Sequence, residues 1–184
     1  MPLVPSPVRD VLMPWAFVAV IVSYSSAGSS AEGAVQGGEK PASASAWPCR
    51  LIPVSTLRSV VEKGLEKSET IRRQCEELAA ARAVVVLEWG ATDSQSQAKT
   101  GMALRGGVVV ATVKLPPVGD TIVLMAHELQ HVIEKTRGLD FPAEAKRAGS
   151  GVWQVLGGYE TQAAVDVSRQ VENELRAHSS AARK

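Results

Sequence analysis

Aromatic residues, cysteines and histidines are all scarce in this chain, and each scarcity narrows the class of protein. Only 4% of the 184 residues are aromatic, and there are two cysteines and three histidines. Two cysteines are too few for a small scaffold held by several disulfides, or for a cysteine-rich zinc module. The charges nearly cancel, with 20 Lys and Arg against 19 Asp and Glu. Because a nucleic-acid-binding domain usually carries a clear basic excess, we expect no nucleic-acid partner.

The first 46 residues divide into an apolar segment and a polar one. An uncharged, mostly apolar run covers residues 11–22, and small residues follow it. This order is typical of secretory signal peptides, so we predict a signal peptide over residues 1–27 and a secreted or periplasmic protein. The run is shorter than the ~20 residues of a spanning helix, so membrane contact is expected only if it stays uncleaved as a tether. Residues 28–46 are rich in Ala, Gly and Ser, which predicts a flexible linker.

Residues 47–184 form enough chain for one domain. Periodicity and β-branched runs predict alternating helices and strands. The predicted helices are 55–67, 68–82, 121–136 and 159–177, and the predicted strands are 83–89, 101–104 and 108–114. This pattern predicts an α+β fold, with a small antiparallel or mixed sheet of about three strands packed against helices. Cys49 and Cys75 form either one disulfide or two buried free thiols.

The helix predicted over residues 121–136 carries the pattern His-Glu-Leu-Gln-His. His127 and His131 are four residues apart, so both imidazoles fall on one helix face and can bind a single cation. Glu128 is turned by ~100° from the first histidine, near enough to act on a metal-bound water without being a ligand. The remaining residues are nearly all apolar, which indicates a buried helix. The alternative is a pair of core histidines satisfied by backbone groups, with Glu128 exposed.

This motif and its helix resemble those of the zinc metallopeptidases of the zincin group, over residues 108–175. The resemblance implies Zn²⁺ as the cofactor, His127 and His131 as metal ligands, and Glu128 as the general base. It also implies that the strand at 108–114 forms the edge of the sheet and holds a peptide or protein substrate in extended form.

A catalytic zinc ion usually has three protein ligands, so one more is expected. The remaining histidine, His178, lies in a polar tail, so we expect a carboxylate, as in the gluzincin branch. Glu160 begins the apolar stripe of the helix predicted over 159–177, where an inward carboxylate needs a partner or a metal. Glu160 is the first candidate, and Glu134, one turn beyond the motif, is the second. Asp166 is turned by ~240° from Glu160 and should face solvent.

Three further features of the sequence lie near the expected third ligand. Tyr159 is either a core residue or the donor of a hydroxyl to a developing oxyanion. The acidic residue that commonly orients a ligand histidine in gluzincins is missing, because Ala164 stands at its position. The glycine-rich stretch around Trp153 predicts a flexible, turn-rich segment lying over the site.

These observations predict an exported zinc-dependent hydrolase, with a metallopeptidase as the leading hypothesis. Glu128 would take a proton from the water that attacks a carbonyl. The alternative is a non-catalytic metal-binding or structural protein on a zincin-like core. That alternative stays open because residues 47–184 leave little chain for a second subdomain that would form a substrate cleft.

Overall fold

The computed structural model describes residues 47–90 and 98–182, and the predicted signal peptide and linker lie outside these ranges. The described strands are β1 (Arg50–Pro53), β2 (Val84–Trp89), β3 (Lys99–Arg105), β4 (Val108–Leu115), β5 (Val152–Val155) and β6 (Gly158–Thr161). The helices are a 3₁₀ turn (Ser55–Leu57), α1 (Arg58–Lys67), α2 (Glu69–Ala80), α3 (Thr121–Thr136), α4 (Phe141–Glu144) and α5 (Gln162–Ala181). The predicted α+β class is confirmed.

The main sheet has four strands in the order β1-β2-β4-β3. Strands β1, β2 and β4 are parallel, and β3 is antiparallel to β4. Gly106 and Gly107 form the turn between β3 and β4 with φ of 55° and 80°, a left-handed conformation that favours glycine. Strands β5 and β6 form a separate antiparallel pair. The expected count of about three strands was too low, because β1, β5 and β6 have four residues each and show no clear periodicity.

The strand expected at the edge of the sheet lies inside it. β4, which contains residues 108–114, pairs with β2 on one side and with β3 on the other. The tight glycine turn places β3 directly beside β4, so β3 takes the outer position. The nearly continuous apolar run of β4 is also typical of an interior strand. The edge strand nearest the motif helix is therefore β3.

Helix α3 lies at the centre of the domain. It packs on β4 and β3 and is flanked by α2 and α5. Its first turn is capped by Asp120, whose carboxylate accepts the backbone N–H groups of Ile122 and Val123. Every residue from Met125 to Glu134 is buried. The apolar character of this helix therefore reflects contacts on all of its faces, as the sequence predicted.

A disulfide joins the chain just before β1 to α2. Cys49 and Cys75 are bonded, with their Cα atoms 5.1 Å apart and their positions in sequence 26 apart. Of the two alternatives, the disulfide is confirmed. Closing a loop of this size stabilises the fold by about 3–4 kcal/mol through the entropy of the unfolded chain.

No helix within residues 47–90 and 98–182 is long and apolar enough to cross a membrane.

Candidate metal centre

The two motif histidines meet on the buried face of α3. His127 is 4% exposed and His131 is 0% exposed. Their Nε2 atoms are 3.2 Å apart, because a spacing of four residues places one imidazole above the other. The predicted convergence of these two side chains is confirmed.

Glu160 reaches the same point from a different element than expected. It lies in β6, where it pairs with Trp153 of β5, and α5 begins two residues later. The helix start is fixed by Thr161, whose Oγ1 accepts the N–H of Ala164 at 3.0 Å. The predicted helix start at residue 159 was wrong, since the threonine cap lies between Glu160 and the helix. The carboxylate is nevertheless buried, at 3% exposure.

The three side chains form a compact triangle. Glu160 Oε2 lies 3.2 Å from His127 Nε2, and Glu160 Oε1 lies 3.4 Å from His131 Nε2. Metal bonds of ~2.0–2.2 Å at tetrahedral angles separate ligand atoms by ~3.3–3.6 Å. The group His127, His131 and Glu160 could therefore hold a metal ion. Two histidines and one carboxylate occur in both zinc and non-haem iron sites.

The electrostatics of the triangle favour an ion pair in the metal-free chain. Burial raises the pKa of Glu160, but hydrogen bonds from His127 and His131 outweigh burial and lower the pKa to about 2. Burial lowers the pKa of His131, but hydrogen bonds to Glu134 and Glu160 outweigh burial and raise the pKa to about 9. Near neutral pH the imidazole of His131 is therefore protonated on both ring nitrogens in the metal-free chain. A metal ion must displace one of these protons to bind.

Glu128 is fully buried beside the triangle. Its Oε2 accepts a hydrogen bond from Thr100 Oγ1 of the edge strand β3. Its Oε1 is buried and has no hydrogen-bond partner among the described residues. Burial raises the pKa of this carboxyl against the opposing charges of His131 and His127. The exposure of Glu128 that the alternative of two core histidines expects is therefore wrong.

The other sequence candidates lie outside the triangle. Glu134 contacts His131 from behind, with Oε2 3.1 Å from Nδ1, so it lies on the side away from Glu160. The Asp166 side chain is 58% exposed, as predicted, and pairs with Arg169. His178 is exposed in the last turn of α5. Of the two ranked carboxylates, only Glu160 faces both Nε2 atoms.

Aromatic side chains connect α3 to the β5–β6 hairpin. Phe141 is fully buried, with its ring centroid 5.9 Å from that of His131 and 6.4 Å from that of Tyr159. The Phe141 and Tyr159 rings are stacked, which favours the core role for Tyr159. The glycine-rich stretch around Trp153 is thus an ordered hairpin.

Three polar residues of the site were not predicted from the sequence: Thr100, Thr161 and Ser168. Ser168 Oγ lies 2.9 Å from His127 Nδ1. The sequence contains a pattern that could have indicated Ser168. This residue follows Ala164 by four positions in the buried stripe of α5, where a polar side chain is unexpected. The contact of Thr100 with Glu128 depends on the strand order and has no local signal.

No protein-family model, curated protein or solved structure matches this chain. The class of the site is therefore defined by its own residues. It is a buried group of two histidines and one carboxylate that could hold a metal ion, on an α+β fold.

Proposed function

We propose that this protein is an exported zinc-dependent hydrolase that cleaves peptide bonds. The observation that carries the proposal is the buried triangle of His127, His131 and Glu160 with a second carboxylate, Glu128, beside it. A metal triangle alone occurs in many proteins. A neighbouring buried carboxylate is the additional group that can act as the general base of hydrolysis.

The donor set fits zinc. Two neutral imidazoles and one carboxylate are a common ligand set of catalytic zinc sites, and the fourth position is left for water or substrate. When bound, the ion supplies a water of lowered pKa and polarises the carbonyl of the substrate. Among the described residues Oε1 of Glu128 has no hydrogen-bond partner, which further supports this assignment, because a buried carboxylate oxygen rarely lacks one.

The chain's own residues would divide the work as follows. Glu128 Oε1 accepts a proton from the attacking water and returns it to the leaving amine. Thr100 holds Oε2 of the same carboxylate, so that the other oxygen is aimed consistently. The three candidate ligands and Glu128 are all buried, and this burial strengthens each electrostatic interaction among them.

The edge strand suggests how a peptide would be held. Among the described residues β4 is the one strand that pairs with β3, so residues 100–105 have no second strand beside them there. An extended peptide can add to such an edge as a further strand. Because Thr100 of β3 contacts Glu128, a peptide on this edge would run close to the proposed base. The substrate-holding strand is therefore proposed as β3 rather than residues 108–114.

The disulfide supports the proposed export. Disulfides persist in oxidising compartments and are rare in reduced ones. The Cys49–Cys75 bond is thus consistent with a secreted or periplasmic protein. Contact with a membrane would then require that the N-terminal segment remain attached.

One observation favours a second candidate, a non-catalytic metal-binding or structural protein. His127, His131, Glu128 and Glu160 are each at most 4% exposed. Structural metal sites are closed, whereas catalytic sites keep a position open to substrate. The two candidates share the same ligands and differ in whether substrate reaches them.

The deciding experiment combines metal analysis with hydrolysis of unstructured peptides. Purified full-length protein should contain about one zinc per chain, and activity should disappear with a chelator and return with zinc. Glu128→Gln should keep the zinc and lose about 10²–10⁴-fold in rate, because it removes the proton acceptor. Glu62→Gln, an exposed carboxylate on α1, is the matched control and should leave both unchanged.

Each outcome separates the candidates. Zinc binding without hydrolysis by the unaltered protein would favour the structural candidate. A protein that binds no zinc, or a Glu128→Gln variant as active as the unaltered protein, would contradict the proposed mechanism.

A further inference from the structure

The two proposed ligand histidines are supported from behind by different kinds of group. His127 Nδ1 lies 2.9 Å from Ser168 Oγ, and His131 Nδ1 lies 3.1 Å from Glu134 Oε2. The Ser168 hydroxyl donates its hydrogen to the carbonyl of Ala164 at 3.1 Å, so it accepts from His127. A carboxylate can only accept. Both histidines are thereby held with a proton on Nδ1, which leaves Nε2 as the metal-binding atom.

Glu134 also reaches the element that carries the third ligand. Its Oε1 accepts the hydroxyl hydrogen of Thr161 at 2.8 Å. The backbone N–H of Thr161 in turn donates to Glu160 Oε1 at 2.8 Å. Glu134 therefore connects His131 on α3 with the end of β6, and both of its oxygens are used.

The charge of this connection distinguishes it from the contact made by Ser168. Glu134 is 7% exposed, and a buried carboxylate is costly unless it is paired. A carboxylate that accepts a hydrogen bond from the second ring nitrogen of a ligand histidine fixes the orientation of the ring. It also raises the basicity of the imidazole more than a neutral hydroxyl does. The resemblance led us to expect such an acid at position 164, where this chain has alanine.

We infer that Glu134 is the charged positioning residue of the metal centre, acting on His131 and on the strand that bears Glu160. The inference rests on the proposed function, since it concerns how the same site binds zinc. It assigns to α3 itself, three residues beyond the motif, the task that the resemblance places on the later helix. Ser168 provides the weaker, uncharged support of His127.

The test is the zinc affinity of full-length variants, measured by competition with a chromophoric chelator. Glu134→Gln keeps the shape of the side chain and removes its charge, and should weaken zinc binding by about 10–100-fold. Ser168→Ala should weaken it by a smaller factor, because a neutral hydrogen bond is lost. Glu172→Gln, an exposed carboxylate on α5, is the control and should match the unaltered protein.

A second measurement separates positioning from general stability. The visible spectrum of the Co²⁺-loaded protein reports ligand geometry, and it should change in Glu134→Gln while circular dichroism of the fold does not. If Glu134→Gln loses no more affinity than Ser168→Ala, or if its Co²⁺ spectrum is unaltered, the inference is wrong and the proposed function stands. If the unaltered protein binds no zinc, both fail.

Discussion

Helix α3 and strand β6 supply the same candidate metal centre in different ways. α3 carries His127, Glu128 and His131 within five consecutive positions, so helical geometry alone brings them together. β6 carries Glu160, which reaches the histidines through tertiary contacts, among them the ring of Phe141, which lies near both His131 and Tyr159. One half of the site depends on local spacing and the other half on tertiary packing.

This difference has a physical consequence. Because α3 is buried on all faces, its histidines are held by the core of the domain. The hairpin is short, and its link to the site runs through Thr161 and Glu134. Short elements with few buried contacts open locally at lower free energy than core helices. We therefore expect the hairpin to be the more easily displaced half of the site.

The largest expected effect comes from removing the hairpin's ligand. Glu160→Gln should weaken zinc binding by more than the ~10–100-fold typical of an outer-sphere change, because a charged ligand is lost. Calorimetric or chelator-competition titration measures this loss. Asp166→Asn, an exposed carboxylate on α5, should have no effect. Zinc affinity that survived in Glu160→Gln would mean that the α3 pair binds metal without the hairpin.

The next largest effect concerns a region remote from the hairpin. Replacing Cys49 and Cys75 with serine should lower the free energy of unfolding by about 3–4 kcal/mol, because the unfolded chain is no longer constrained. Denaturant titration measures this change. Zinc affinity should stay within about twofold of that of the unaltered chain at temperatures where both are folded. A large loss of zinc affinity would show that the ligand geometry depends on α2 as well as on the hairpin.

The smallest effect is the pH dependence of the metal-free site. The pKa of His131 is raised from 6.5 to about 9, so its stabilisation is complete below pH 6.5 and lost as pH rises through about 9. The pKa of Glu160 is lowered from 4.5 to about 2, so its stabilisation is complete above pH 4.5 and lost as pH falls through about 2. These two groups should therefore stabilise the metal-free chain most between pH 4.5 and 6.5.

Urea titrations with a chelator, from about pH 2 to about pH 9, measure the dependence. Zinc binding near pH 7 should also release about one proton, seen as a binding enthalpy that varies with the buffer. The His131→Asn variant should lose the alkaline part of the profile. An unchanged profile in that variant would mean that another group is responsible.

The part of the site on α3 was predictable from the sequence, and the part on β6 was predictable only to some extent. The i, i+4 spacing of His127 and His131 is a property of one helix, and the predicted convergence of the two imidazoles was confirmed. Glu160 was chosen by placing it on a helix stripe, yet it lies in a strand. Glu160 nevertheless lies beside the two histidines, because a buried carboxylate needs a partner in either kind of element.

The errors share one cause. Strand order is set by packing between distant segments, and the apolar run of β4 was the one local signal of its interior position. The contact of Thr100 with Glu128 follows from that order. Glu134 was visible as an inward carboxylate, but its side of the His131 ring depends on Thr161 in the hairpin. Patterns within one element are therefore reliable here, and contacts between elements are not.

The division of the candidate ligands between α3 and β6 would couple the hairpin to the supply of metal. His131 and Glu160 are separated by 29 positions, and a cation held by both would close that segment into a loop. Binding only to the closed form stabilises it by about 2.7 kcal/mol when free metal is a hundredfold above Kd. The hydrogen-exchange rate of the β5–β6 amides would then report the metal concentration of the surroundings.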